Sequence, residues 1–324
     1  MKWALRIVGA LVALLVVAFF VFRTPDTDPE TMRAKYAGPP SQFVEIADGV
    51  RIHLRDEGPR DALPIVLLHG SNADLFTWEP WVEALSNDYR IIRFDQVGHG
   101  LTGPDPAHDY SRDNFTSDIR EVANAMGLER FVLGGSSMGG KHAMAFAAAY
   151  PERILGLILV DASGSPQVEA PPKDDEENGN IGFAIAQTPG ISWIAEHVTP
   201  RALIEQSLEQ SVSVAEIVDD AMIDRYWEML RYPGNRAATM ARFASDYEPL
   251  APGEFAAIDV PVLLLWGEED RLIPLGAGLW LDETLPRSQL IVYPQTGHLP
   301  QEERANRSSA DVRRWLETLS TPRR

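Results

Sequence analysis

The 324-residue chain contains no cysteine. That excludes disulfides, thiolate-ligated zinc, iron–sulfur clusters, a cysteine nucleophile and a lipidated N-terminal cysteine. It also lacks a His-Glu-x-x-His pair, a calcium-loop spacing and a Gly-x-Gly-x-x-Gly turn after a first strand. No resident metal and no cofactor is therefore expected. Basic residues are in short supply: 29 Lys and Arg stand against 47 Asp and Glu, a net charge of -18. Such a chain repels phosphate backbones, so nucleic acid is not an expected partner. Apolar residues make up 45% of the chain, enough to bury a sizeable core at a length of one or two domains.

Long apolar runs are missing except at the start. Lys2 and Arg6 precede Ile7 to Phe22, which carries no charge. Counted from Trp3, with Arg6 reaching back toward headgroups, about twenty residues match a ~30 Å hydrocarbon layer. The run ends Ala18-Phe19-Phe20-Val21-Phe22-Arg23, too bulky for a small-x-small cleavage site. The expectation is an uncleaved transmembrane signal anchor over residues 1–24, with a cleaved secretory signal as the alternative. Lys2 and Arg6 would stay cytoplasmic, leaving a membrane-held catalytic domain on the extracytoplasmic side. Residues 25–40, rich in proline and charge, read as a tether.

From residue 41 the pattern alternates. Phe43-Val44-Glu45-Ile46 and Arg51-Ile52-His53-Leu54 flank Asp48-Gly49, a hairpin signal. Short apolar strands are predicted at Ile65 to Leu68, Arg90 to Phe94, Phe131 to Leu133, Ile154 to Val160, Val260 to Trp266 and Gln289 to Tyr293. Helices are predicted at Trp78 to Leu85, Asn114 to Met126, Lys141 to Tyr150 and Ala310 to Leu319. This is the rhythm of an α/β fold whose mostly parallel sheet is covered on both faces. Residues 164–255 break it. They hold an acidic stretch, Pro171-Pro172-Lys173-Asp174-Asp175-Glu176-Glu177, then helical runs studded with Trp193, Trp227, Met240 and Phe243. They read as a helical cap inserted after the sixth core strand, between core segments 41–163 and 256–324.

The chemistry gathers at strand ends. Gly135-Ser136-Ser137-Met138-Gly139 follows a predicted strand and opens a predicted helix, the setting a Gly-x-Ser-x-Gly turn requires. The turn forces residue 137 into strained dihedrals, and glycines let the neighbouring backbone approach. Ser137 then stands above the sheet as a nucleophile, and the Met138 amide can meet an oxyanion. Ser136 is the rival hydroxyl, but the glycine frame selects Ser137. A serine needs a base, and the base an orienter. His298 follows the last strand and Asp270 the one before, giving the chain order Ser, Asp, His. Glu268 and Glu269 are displaced toward the strand. Asp161, also at a strand end, is the more serious rival acid, with a loop-anchoring role as its simpler reading. His69 reads as a structural or oxyanion-loop residue and His99 as structural; His53, His108, His142 and His197 read as surface or packing residues. The second oxyanion amide is expected after His69-Gly70, at Ser71.

These motifs resemble the α/β-hydrolase fold, in its cap-containing serine hydrolase group of esterases and carbon–carbon hydrolases. The resemblance spans about residues 41 to 320. It rests on His69-Gly70 with Trp78, Phe94-Asp95-Gln96-Val97-Gly98-His99-Gly100, the turn at 135–139, Val160-Asp161-Ala162-Ser163-Gly164, Gly267-Glu268-Glu269-Asp270 and Gly297-His298. It implies Ser137, Asp270 and His298 as catalytic residues and Ser71 and Met138 as oxyanion donors. Dehalogenases and epoxide hydrolases of this fold carry aspartate where Ser137 stands, which disfavours those chemistries. Relatives often have asparagine where this chain has Ser136. The expected activity is hydrolysis of a small or hydrophobic carboxylic ester through an acyl-enzyme. The alternatives are carbon–carbon hydrolysis with the same three residues, a cofactor-free haloperoxidase or perhydrolase, and a catalytically retired binding protein.

Overall fold

The computed structural model describes residues 2–166, 188, 194, 196–245 and 247–320. The acidic stretch at 171–177 and Trp193 lie outside the described residues. The chain opens with helix α1 (Lys2–Phe22) and helix α2 (Pro29–Tyr36), then strands β1 (Ser41–Glu45), β2 (Arg51–Glu57) and β3 (Pro64–Leu68). Helix α3 (Glu79–Leu85) leads to β4 (Arg90–Phe94), α4 (Arg112–Ala125) to β5 (Phe131–Ser136), and α5 (Met138–Ala149) to β6 (Ile154–Val160). Then come α6 (Arg201–Ser211), α7 (Asp220–Leu230), α8 (Asn235–Ala244) and α9 (Pro252–Ala256). The chain closes with β7 (Val262–Gly267), α10 (Leu275–Thr284), β8 (Ser288–Tyr293), α11 (Pro300–Glu303) and α12 (Ala305–Ser320).

The eight strands form one sheet in the order β1-β2-β4-β3-β5-β6-β7-β8. Only β2 runs against its neighbours; β3 to β8 pair in parallel. Parallel strands are buried on both faces, and the residues show it. Val66, Leu68, Leu133, Leu157 and Leu264 point to one face, packed under α4, α5 and α10. Ile65, Leu67, Val132, Ile158 and Leu263 point to the other, against Trp81 of α3 and Trp315 of α12. All ten are at most 1% exposed, and each contributes about 1.5–3 kcal/mol of burial. The predicted hairpin forms with Glu45 opposite Arg51, joined by a short 3-10 turn over Ala47–Gly49 rather than a two-residue turn.

The N-terminus departs from expectation. Among the described residues no helix is long and apolar enough to cross a membrane. This overturns the signal anchor and the membrane-held location that rested on it, and it removes the N-terminal helix as the ground for a membrane partner. The physical reason is length. Lys2 and Arg6 lie inside the first turns of α1, and the sixteen uncharged residues that follow rise only about 24 Å against a ~30 Å core. The stretch read as a tether is also built into the fold. Asp28 caps α2 by accepting from Thr31 N at 2.8 Å. Met32, 2% exposed, packs with Leu101, Met229 and Tyr232. Lys35 Nζ and the Tyr36 hydroxyl both donate to Glu228 on α7.

Candidate active site

The C-terminal ends of β3, β5, β7 and β8 bring the sequence-predicted residues to one edge of the sheet. At the turn between β5 and α5, Ser137 takes φ 52° and ψ -119°. For a non-glycine residue this is a strained conformation, and such strain persists only where the surroundings over-determine it. Here they do. A Cβ at Gly139 would run into the carbonyl oxygens of Leu68 and His69, and one at Gly135 into the backbone of Gly139. The helix therefore seats tightly on the sheet and drives Ser137 upward. Ser137 N donates to Val160 O at 2.9 Å, and Ser137 O accepts from Gly140, Lys141 and Ser163 amides. Ser137 is 8% exposed.

Two loops meet Ser137. The first follows β3: a Cβ on Gly70 would lie 3.2 Å from Ser137 Cβ. His69 fixes this loop. Its Nδ1 bonds Gly70 O at 2.8 Å and its Nε2 accepts from Gln96 N at 3.0 Å. Burial holds its pKa below the usual histidine value, so the ring is a neutral strut. The second loop follows β8. His298 Nδ1 bonds Asp270 Oδ2 at 2.7 Å, and Asp270 Oδ1 accepts from the Leu272 and Ile273 amides at 2.8 and 3.0 Å. One carboxylate oxygen is thus anchored by backbone and the other orients the imidazole. His298 N donates to Ser211 O at 2.8 Å, tying the loop to α6.

A cavity of about 120 Å³ opens over this edge. Ser137, His298, Gly70 and Ser71 line its floor, and Leu203, Ile204, Leu208 and Tyr226 from α6 and α7, helices of the proposed cap, line its roof. Met138 sits just behind, as the first residue of α5, where helix amides lack an intrahelical acceptor. Of the rival acids, Glu268 and Glu269 are exposed. Asp161 is fully buried and lies against Asp270, and its Oδ1 accepts from Gly267 N at 2.9 Å. Burial first, and then the Asp270 charge, push its carboxyl well above the usual carboxylate range, which favours its protonated form. Ligand atoms of Asp161, Asp270 and His298 lie within 4.8 Å of one another. They fit a shared proton better than a metal, because His298 Nδ1, both oxygens of Asp270 and Oδ1 of Asp161 are already engaged in hydrogen bonds.

Three residues that matter here were not singled out from sequence. Glu303, 7% exposed, accepts from the amides of Gly297, Leu299, Ser213 and Val214, and so clamps the His298 loop to the cap. Arg242 on α8 donates to Ser71 Oγ at 3.1 Å and Asn72 Oδ1 at 3.3 Å, and touches Met138 Sδ at 3.1 Å. It braces both predicted oxyanion residues at once, and desolvation lowers its pKa to about 10. Arg236 lines the cavity from the same helix. Nothing local marks these positions, since their partners lie far away in sequence. Several histidines also prove better partnered than expected. His53 pairs with buried Asp95 at 2.7 Å, and His142 stacks on Phe115 and bonds Gln96 Oε1.

The sequence pattern of the alpha/beta hydrolase fold matches residues 64–305. The chain belongs to the α/β-hydrolase fold family. It is a hydrolase. A 2-hydroxy-6-oxononadienedioate/2-hydroxy-6-oxononatrienedioate hydrolase of Cupriavidus pinatubonensis is 30% identical, over 82% of this chain and 91% of that protein. A 2-hydroxymuconate semialdehyde hydrolase of a Pseudomonas species is 28% identical, over 84% of this chain and 92% of that protein. Among solved structures, a thermophilic esterase of Thermogutta terrifontis superposes with a TM-score of 0.65 at 28% identity, covering 87% of this α/β-hydrolase and 99% of the esterase.

Proposed function

We propose that Ser137 is the nucleophile of this hydrolase, His298 its general base and Asp270 the orienter of the imidazole. The observation that carries this reading is a strained Ser137 sharing one cavity with a His298 already bonded to Asp270 at 2.7 Å. Ser137 attacks a substrate carbonyl as His298 takes its proton. The amides of Ser71 and Met138 hold the oxyanion. The leaving group departs with a proton from His298, and water then cleaves the acyl-enzyme by the same relay.

For the bond that breaks, the relatives support carbon–carbon cleavage over the ester hydrolysis expected from sequence. Both curated relatives named above act on 2-hydroxy acids bearing a second carbonyl function, and they match this chain along nearly their whole length. In that chemistry the leaving group is a carbanion, spread over a conjugated enol and protonated as it departs. The ester reading keeps one specific support. Leu203, Ile204, Leu208 and Leu230 give the cavity an apolar roof, which suits a plain acyl chain, and the esterase of Thermogutta terrifontis shares the fold.

The deciding experiment compares a 2-hydroxy-6-oxo-dienoate with p-nitrophenyl butyrate on the full chain and on Ser137→Ala. Carbon–carbon cleavage predicts the higher kcat/KM on the dienoate, with both activities falling about ten-thousand-fold or more in the variant. A higher kcat/KM on the ester would assign the enzyme to ester hydrolysis instead. Full turnover by Ser137→Ala would remove Ser137 from the mechanism.

A further inference from the structure

Residues 24–27 lie N-terminal to the matched family region and are laced to the cap. Thr24 N donates to His197 O at 2.9 Å, and Thr24 Oγ1 accepts from Thr199 N at 2.7 Å. Thr27 N donates to Arg231 O at 2.9 Å, and Arg231 Nε to Pro25 O at 2.9 Å. The lacing converges on Arg236. Its Nη1 donates to Thr24 O at 2.9 Å, and its Nη2 meets Asp26 Oδ1 at 2.6 Å. Arg236 is 7% exposed and lines the cavity that holds Ser137. Among the described residues lining that cavity it is the only Lys or Arg, and there is no Asp or Glu. Among the lining residues the charge facing the cavity is therefore set by one guanidinium, and that guanidinium is paired with Asp26 of the N-terminal strap.

We propose that this strap sets substrate charge: paired with Asp26, Arg236 makes the cavity accept uncharged acyl chains and refuse those ending in a carboxylate. A carboxylate at the far end of an acyl chain would lose its hydration and find a guanidinium whose charge is already answered. Without the Asp26 charge the same guanidinium becomes a docking point for an anion, with Arg231 beside it adding to the field. The inference rests on acyl binding over Ser137 and deepens that reading by naming the acyl class. Thr24, Asp26 and Arg236 act as positioning and specificity residues, outside the bond-breaking step.

The test measures binding rather than turnover. Hexanoate and adipate, equal in length and differing by one terminal carboxylate, are titrated calorimetrically into the full chain and into Asp26→Asn and Arg236→Gln. The full chain is expected to prefer hexanoate by about tenfold or more, and Asp26→Asn to raise the adipate-to-hexanoate affinity ratio about tenfold. Arg236→Gln should not raise it. Should Arg236→Gln fail to fold, the Asp26→Asn ratio decides alone, because Asp26 is half-exposed. An unchanged ratio in Asp26→Asn, or no binding of either acid, overturns the proposal. Loss of the acyl-enzyme reading would show separately, as unaltered turnover in Ser137→Ala.

Discussion

The sheet edge and the cap solve the same problem by different means. At the edge, Ser137 is placed by backbone. Gly135, Gly139 and Gly140 leave no room for a Cβ, and main-chain bonds to Val160, Gly140 and Ser163 hold the strained turn. In the cap, position is set by long charged side chains reaching across the chain. Arg242 braces Ser71, Asn72 and Met138, Arg236 answers to Asp26, and Arg225 stands between Asp74 and Glu302. Backbone close approach tolerates almost no substitution, whereas a side-chain bridge can be lost and replaced piecemeal. The reacting edge is therefore rigid, and the substrate-facing cap is open to retuning.

The sharpest break in that contrast comes at the edge. Gly139→Ala places a Cβ against the carbonyls of Leu68 and His69. It is expected to cost about 3 kcal/mol or more of stability, read by urea unfolding, and to reduce kcat at least a hundredfold as Ser137 shifts. A soluble, fully active Gly139→Ala would mean that the turn is softer than its geometry implies.

In the cap the expected losses are smaller. Arg242→Met removes the brace on both proposed oxyanion residues and should lower kcat about tenfold while leaving KM within twofold, with the melting temperature recorded alongside. Arg242→Lys should recover only part, because one ammonium cannot reach Ser71, Asn72 and Met138 together. A rise in KM alone would make Arg242 a substrate-binding residue instead.

The smallest effect is a matter of pH. Burial, partly offset by Arg225, raises the Glu302 carboxyl to about 7. With the folded value above the unfolded one, the folded state holds the extra proton. Stability therefore declines as pH rises from about 4.5 toward 7. Glu302→Gln should flatten that decline and match or exceed the parent by about 1 kcal/mol at pH 8, measured by urea unfolding at pH 5 and pH 8. A steeper decline in the variant would show that the Arg225 pairing outweighs desolvation.

This division between edge and cap also explains what could be read from the sequence. The parallel sheet, Ser137, Asp270 and His298 were legible because each is fixed by its own neighbours: a glycine frame, or a loop directly after an apolar strand. The bracing residues were not. Arg242 meets Ser71 across 171 positions and Arg236 meets Asp26 across 210, separations that leave no local signature. The N-terminal helix was overread for the converse reason. A hydropathy run is a local signal, and it carries no trace of the following segment docking on α7 and α8. The bond that breaks is not written in Ser137, His298 and Asp270 at all, since one relay serves esters and activated ketones alike.

Sheet connectivity has a consequence for how the enzyme is made. Ser137 is synthesised before the cap, whereas Asp270 and His298 come after it, on loops that follow β7 and β8. The pairing of β6 with β7, Leu157 opposite Val262 through Val160 opposite Leu265, spans the whole cap. A nascent chain can therefore pair β1 to β6 and present Ser137 before the proposed base has been made. On the proposed mechanism reactivity waits until the last strands dock, so a ribosome-bound or truncated product that stops short of β8 carries Ser137 without His298.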